Sequence, residues 1–403
     1  MSGYRSIHRE VIGSFPIWNV ASSPILTTGS SSSTASQQRG LVWRIWVACG
    51  DGVVRGYLVT EKSLDAKADA LDAAACSVKL THVLLGDSQE KPTDDENESS
   101  RCIGCSQVQV ARNYVGDDDA AGDLIIVSMD LSGKVRIWVL PEDMDNELTT
   151  NSSGENEEPS LPRASHEFNV PNATGTCISI LPPSVSGVGD VLLAVPCLDG
   201  TIAIVATGLS TPKATKDPSV AGTIVDTWSK ANGSVGLCGD FHPMKKSIAV
   251  GRKDGLVEVL GDRSHRLIQH EAPVRSVTFT PDGNLLVTAS DDGMVSVWDT
   301  SRAGSPVLVH HVVQAHATWV LNLVALSDSR RFVSCGADQI LHVWGFSEMD
   351  NQALHSFTSD DVVWTMDALT IKSSNLSSAQ QSTLTRLVTG SENGGLHIYT
   401  LES

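Results

Sequence analysis

Apolar and polar positions alternate in short runs along much of the chain, most clearly from His270 to Thr300, HEAPVRSVTFTPDGNLLVTASDDGMVSVWDT. Val274 to Phe279, Leu285 to Ala289 and Met294 to Trp298 each repeat with a period of two, and Pro281-Asp282-Gly283 and Asp291-Asp292-Gly293 separate them. Runs of that length between such turn residues predict three antiparallel strands. His270 stands before the first strand, Ser290 and Asp292 close the second, and Trp298 ends the third. Imidazole, hydroxyl, carboxylate and indole are therefore placed to form one hydrogen-bonded chain, which a buried Asp requires.

The stretch resembles a WD repeat, one blade of a β-propeller. Its spacing, an Asp-Gly turn with an aromatic or bulky apolar residue six positions later, recurs along the chain: Asp51-Gly52 to Tyr57, Ser132-Gly133 to Trp138, Asp199-Gly200 to Val205, Asp254-Gly255 to Leu260, Asp292-Gly293 to Trp298, Asp338 to Trp344, and Asn393-Gly394 to Tyr399. The fifth copy has the whole tetrad. The sixth keeps His316, Asp338 and Trp344 but has Gly336 where the hydroxyl is expected. These copies predict an all-β protein, a seven-bladed WD-repeat β-propeller formed as one domain over residues 1–403. The first repeat is expected to begin at His8, with a strand from Pro16 to Ala21. Polar inserts near 25–40, 87–100, 141–160 and 372–383 read as loops. The chain stops at Ser403, right after the third strand of the last repeat. Gly3 to Ile7 is expected to supply the fourth, closing the ring and covering a bare sheet edge.

Charge narrows the function. The 403 residues are 41% hydrophobic and carry a net charge of −18, so the surface lacks the positive field that direct nucleic-acid binding needs. The longest apolar runs fall short of the roughly 18 residues of a membrane span, and a soluble, intracellular protein is expected. The eight cysteines, Cys49, Cys177, Cys197, Cys238 and Cys335 among them, fall mostly in or beside strands and read as reduced core thiols. Cys102 and Cys105 form a CxxC without a second pair or nearby His, so no metal and no cofactor is expected. His270, Ser290 and Asp292 superficially offer a catalytic set. Their positions repeat in the next copy as His316 and Asp338, which suits a structural network, and no catalytic residue is assigned. His310 and His311 lie in the run Val307 to Val313, an outer strand that sends them to opposite faces.

The C-terminal half carries a closer resemblance. Trp319-Val320-Leu321-Asn322, Val363-Trp364, His397-Ile398-Tyr399 and, at the other end, Ile17-Trp18-Asn19-Val20 resemble the blade openings and end of the WD-repeat subunit of the superkiller (Ski) complex. That resemblance implies a non-catalytic subunit, a monomeric propeller within a hetero-complex. Its partners would be a tetratricopeptide-repeat scaffold and a helicase that feed messenger RNA to the exosome for 3′ to 5′ decay. Relatives in the Paf transcription-elongation complex and in fungal meiosis leave those roles open, and so does a generic adaptor for a ubiquitin ligase or chromatin. Trp18, Arg275, Trp319 and Trp364 open the inner strands of blades that neighbour each other in a closed ring, beside the turn acids Asp291 and Glu392. An aromatic floor with acidic walls suits a short peptide carrying an Arg and an apolar anchor. The resemblance likewise implies capture of short Gln-Arg motifs.

Overall fold

A computed structural model describes residues 4–24, 41–61, 76–84, 105–112, 123–140, 163–181, 190–210, 215–216, 219–228, 233–302, 304–347, 352–372 and 383–401. Strand β1 is Tyr4–Val11. The first blade follows as β2 Ile17–Pro24, β3 Leu41–Cys49, β4 Val54–Glu61 and β5 Cys76–Leu84, and the second as β6 Cys105–Arg112, β7 Leu124–Asp130, β8 Lys134–Leu140 and β9 His166–Asn169. The third contains β10 Ser179–Leu181, β11 Asp190–Pro196 and β12 Ile202–Ser210, with β13 Thr215–Lys216 and β14 Ile224–Trp228 both pairing with β12. The fourth is β15 Gly236–Phe241, β16 Ile248–Arg252, β17 Leu256–Leu260 and β18 His265–Ile268. The fifth is β19 Val274–Phe279, β20 Leu285–Ser290, β21 Val295–Asp299 and β22 Val307–Val312. The sixth is β23 Val320–Ala325, β24 Arg331–Gly336, β25 Ile340–Gly345 and β26 His355–Thr358. The last is β27 Val363–Lys372, β28 Thr383–Ser391 and β29 Gly395–Leu401, with β1 as its outer strand.

Tyr4 pairs with Leu401 and Val11 with Gly395. The expected ring closure is present and runs four residues beyond Ile7. His8 is thus the partner of Ile398 in the last blade and not the start of the first, and Pro16 precedes β2. Gly3, Cys102 and the bodies of the four expected inserts lie outside the described residues.

Each sheet buries both faces against its neighbours, so its middle strands are mostly apolar, with a few buried polar residues such as Ser128, Thr288 and Ser334; every residue of β7 is buried. The core divides accordingly by junction. Trp46 packs with Trp138 between blades one and two, Val287 and Val297 with Phe332 and Trp344 between five and six, and Trp43 and Ile45 with Val388 and Ile398 across the closing seam.

The seven turns between second and third strands share one conformation. Gly52, Gly133, Gly200, Gly255, Gly293 and Gly394 all have φ between 76° and 85°, and the sixth blade puts Gln339 there at 65°. The left-handed region favours Gly, which is why the Asp-Gly pair is so persistent. In five of these turns the Asp carboxylate accepts the N–H two residues on, as Asp292 does from Met294 at 2.9 Å.

Candidate functional site

The inner strands open with a shared irregularity. Val274 pairs with Ser290 and Ser276 with Ala289, so Arg275 is skipped by the ladder. The same skip falls on Trp18, Leu237, Leu321 and Trp364. A bulge of this kind turns one side chain out of the strand's alternation and aims it at the rim. Trp319 occupies a different place in its blade. It precedes β23, and its carbonyl accepts the N–H of Ala337 at 2.9 Å, as the carbonyl of Pro273 accepts that of Asp291.

The four rim residues come together as two pairs. The Arg275 guanidinium lies 5.9 Å from the ring centre of Trp319, across the junction of blades five and six. Trp18 and Trp364 meet edge to face at 5.4 Å across the seam of blades seven and one. Trp319 is 51% exposed, an unusual position for an indole whose neighbours do not need it for the core. Trp364 is half-buried, and its indole nitrogen is buried without a hydrogen-bond acceptor.

The two acids differ. Arg275 donates to both carboxylate oxygens of Asp291, through Nε at 2.9 and 3.1 Å and through an amino nitrogen at 2.8 Å. The expected acidic wall at Asp291 is therefore already neutralised, and its work is to hold Arg275 against Trp319. Glu392 is exposed, and its backbone N–H donates to the carbonyl of Val362 at 3.0 Å. A second arginine cluster escaped the sequence reading. Arg55 lies 4.4 Å over the ring of Phe15 and donates to both oxygens of Asp51, and Gly50 leaves room for the Trp18 indole, 3.2 Å from where a Cβ would sit. Phe15-Pro16 ahead of β2 and Arg four residues after Asp51 were the available signals.

The tetrads need one correction. In the fifth blade the hydroxyl belongs to Thr288 and not to Ser290. The Trp298 indole donates to Thr288 Oγ1 at 3.3 Å, Thr288 Oγ1 lies 2.9 Å from His270 Nε2, and His270 Nδ1 lies 3.0 Å from Asp292. Ser290 instead donates to the carbonyl of Ala272 and accepts the N–H of Asp292. Trp298 is opposite Leu286, so its ring reaches the next residue on that face, Thr288; Ser290 is about 7 Å further along the strand. The sixth blade is complete on the same pattern. Trp344 donates to Ser334 Oγ at 2.9 Å, which lies 2.8 Å from His316 Nε2, and His316 Nδ1 lies 3.0 Å from Asp338. Gly336 is no defect, since a Cβ there would come within 2.4 Å of the His316 ring.

Burial works to raise the carboxyl pKa of Asp292 and of Asp338. Hydrogen bonds and charge from His270 and His316, with the N–H groups of Glu271 and Met294 or of Ala317 and Ile340, outweigh it and leave both lowered. An ionised carboxylate fixes the proton on Nδ1, so Nε2 accepts from the hydroxyl, and the hydroxyl accepts from the indole. Every donor in the chain is used in place. Burial pushes the thiols of Cys49 and Cys177 up to about 12 and that of Cys335 higher still, the behaviour of inert core cysteines. His311 is held by Ser296 at 2.9 Å. Among the described residues, no three His, Cys, Asp or Glu side chains converge as a metal site.

The inner strands also enclose a channel of about 370 Å³, lined by Asn19, Gln107, Cys177, Asp240, Ser276, Asn322 and Asp367, among others. Its wall is stitched between blades. The N–H groups of Val108, Leu323 and Val20 donate to Asn19, Ser276 and Thr365 of the preceding inner strand, and those of Phe279 and Ser22 to Asp240 and Asp367. These bonds satisfy strand edges that no fifth strand covers.

Residues 261–299 and 308–345 match the family model for the WD domain, G-beta repeat. Each match takes the outer strand of one blade and three strands of the next. The chain is 33% identical over 75 residues to telomerase protein component 1 of Rattus norvegicus, covering 19% of this chain and 3% of that protein. It is 32% identical over 106 residues to WD repeat and SOCS box-containing protein 1 of Mus musculus, covering 25% and 24%. It is 27% identical over 129 residues to LEC14B protein of Lithospermum erythrorhizon, covering 31% and 27%. The matched segment thus spans about a quarter or less of the first two relatives.

Proposed function

From a chain that carries WD repeats and closes them into a seven-bladed ring, we propose a non-catalytic interaction scaffold whose docking site is the rim built by Trp18, Arg275, Trp319, Trp364 and Glu392. WD propellers act generally as protein-interaction scaffolds or adaptors. The observation that carries the site is the exposed Trp319 indole with Arg275 held beside it by Asp291. Trp and Arg dominate interface hot spots because they bury much surface at little conformational cost. The partner is a short segment that brings an apolar side chain to the aromatic rings and a cation to Glu392.

The fuller reading makes the chain the WD-repeat subunit of a Ski-type complex, in which its partners are the tetratricopeptide-repeat scaffold and helicase and its role is to assist exosome-linked 3′ to 5′ mRNA decay in the cytoplasm, with a nuclear pool. The blade openings Trp319-Val320-Leu321-Asn322 and Val363-Trp364 support it. Trp319→Ala or Trp364→Ala is expected to weaken scaffold binding by about 2 kcal/mol or more in calorimetry with the purified tetratricopeptide partner. Trp138→Ala, 1% exposed in the core, is expected to act on stability instead. Undiminished binding by a folded Trp319/Trp364 double variant would move the site to another face. The similarity to a SOCS box-containing protein favours a second reading, a general adaptor outside RNA decay, and a Paf-complex role is the third. Affinity purification of the native protein separates them by the partners it names, and imaging of a tagged chain tests the compartments.

A further inference from the structure

The residue just ahead of each left-handed turn occupies one ring of equivalent positions. It reads Gly50, Leu131, Leu198, Lys253, Asp291, Ala337 and Glu392. In six of these the backbone N–H donates to a carbonyl of the segment that leads into the first strand of the same blade: Gly50 to Pro16, Leu198 to Asn172, Lys253 to Val235, Asp291 to Pro273, Ala337 to Trp319 and Glu392 to Val362, at 2.7–3.0 Å. The ring therefore lies on the face that carries the aromatic rim, and it divides by chemistry. Blades four to seven present charged or small residues. Blades two and three present leucines that are 53% and 58% exposed.

A single leucine on a surface means little. These two flank one fixed loop, Val170 to Cys177. Asn172, in the left-handed region at φ 58°, gives its carbonyl to the Leu198 N–H at 2.7 Å. Gly175 packs so closely under the other turn that a Cβ would fall 2.6 Å from the Leu131 Cα. Thr174 N–H closes the loop onto the carbonyl of Pro196 at 2.9 Å, and exposed Pro171 lies between the two turns in this loop. The result is a preorganised apolar surface of Leu131, Pro171 and Leu198, edged by exposed Asp199, whose Oδ1 accepts the N–H and hydroxyl of Thr201, on a chain of net charge −18. Preorganised surfaces bind with less ordering cost than mobile ones.

We infer that this sector is a second docking subsite, which takes a partner segment presenting two neighbouring aliphatic side chains followed by Lys or Arg. The inference rests on reading this face as the docking face. Aliphatic side chains cover Leu131 and Leu198, and the cation meets Asp199. Because the sector lies on blades two and three and the aromatic pairs on blades five to one, the two subsites are occupied independently.

The test is selection of displayed random dodecapeptides on the immobilised full chain. Recovered clones are then measured against Leu131→Ser/Leu198→Ser and Trp319→Ala/Trp364→Ala, both checked for an unchanged thermal transition. A clone family with paired aliphatic residues next to a basic one is expected, losing about tenfold or more in affinity on the leucine variant and keeping it on the tryptophan variant. Absence of that family, or its survival on the leucine variant, overturns the subsite. If every clone depends on the tryptophans and none on the leucines, the docking face stands and this sector of it falls. If neither variant loses a clone, both fall.

Discussion

Thr288 and Ser334 show how one hydroxyl can decide a blade's stability. Each accepts from an indole and donates to an imidazole inside the core. Thr288→Val keeps the shape and leaves two buried groups unpaired, so a loss of about 1–3 kcal/mol is expected in urea unfolding, larger than that of Ser290→Ala. The sequence pointed to Ser290, because Thr288 and Ser290 share a face and only the reach of the Trp298 ring separates them. Gln339 is a different case. It holds φ 65° where the other six turns have Gly, and Gln339→Gly is expected to raise stability by about 1 kcal/mol or somewhat less, since relief of the left-handed strain is partly offset by a more flexible unfolded chain. A higher urea midpoint with an unchanged slope is the sign to look for.

Among the elements, the inner strands carry the least legible chemistry. Their bulges at Trp18, Arg275 and Trp364 leave no mark in the alternation of apolar residues, although they aim the rim side chains. In the third blade the inner strand begins only at Ser179, because Ala173 already pairs with Cys197 and the residues between form a loop. What was plain in the sequence were the middle strands, whose apolar character follows from burial on both faces. The stitching between inner strands has a titratable member. Burial pushes the carboxyl of Asp240 up to about 6 from 3.8, against hydrogen bonds from the N–H of Phe279, the hydroxyl of Thr278 and the N–H of Phe241. A raised folded-state pKa means that the folded chain holds this proton more tightly than the unfolded one. The stability it contributes is complete below about pH 4 and lost as pH rises through about 6. Asp240→Asn keeps an acceptor for Phe279 and removes the titration. Relative to the variant, the native protein is expected to lose about 1–3 kcal/mol between pH 4 and pH 7, and parallel pH curves for the two would rule out this origin.

At the scale of the whole molecule the seam between blades seven and one governs cooperativity. It is closed by β1 against β29 and by a buried pair in which Arg386 grips Glu61, itself bonded by the Trp43 indole at 3.0 Å. Deleting residues 1–11 bares the edge of β29 and is expected to lower and broaden the thermal transition; an unchanged transition would mean that the seam holds without its outer strand. The need for such a strand was legible from the shortage of strands in the last repeat, whereas the Glu61–Arg386 pair was not, since its members lie 325 residues apart. That separation has a consequence in time. Among the described strands β1 leaves the ribosome before the others, and its partner β29 leaves last. Until β27 to β29 are made, β1 is an edge strand without a sheet. The ring closes in a single late event of very long range, the slowest kind of contact to form, and whatever shields that waiting segment during translation determines how much of the protein reaches its native state.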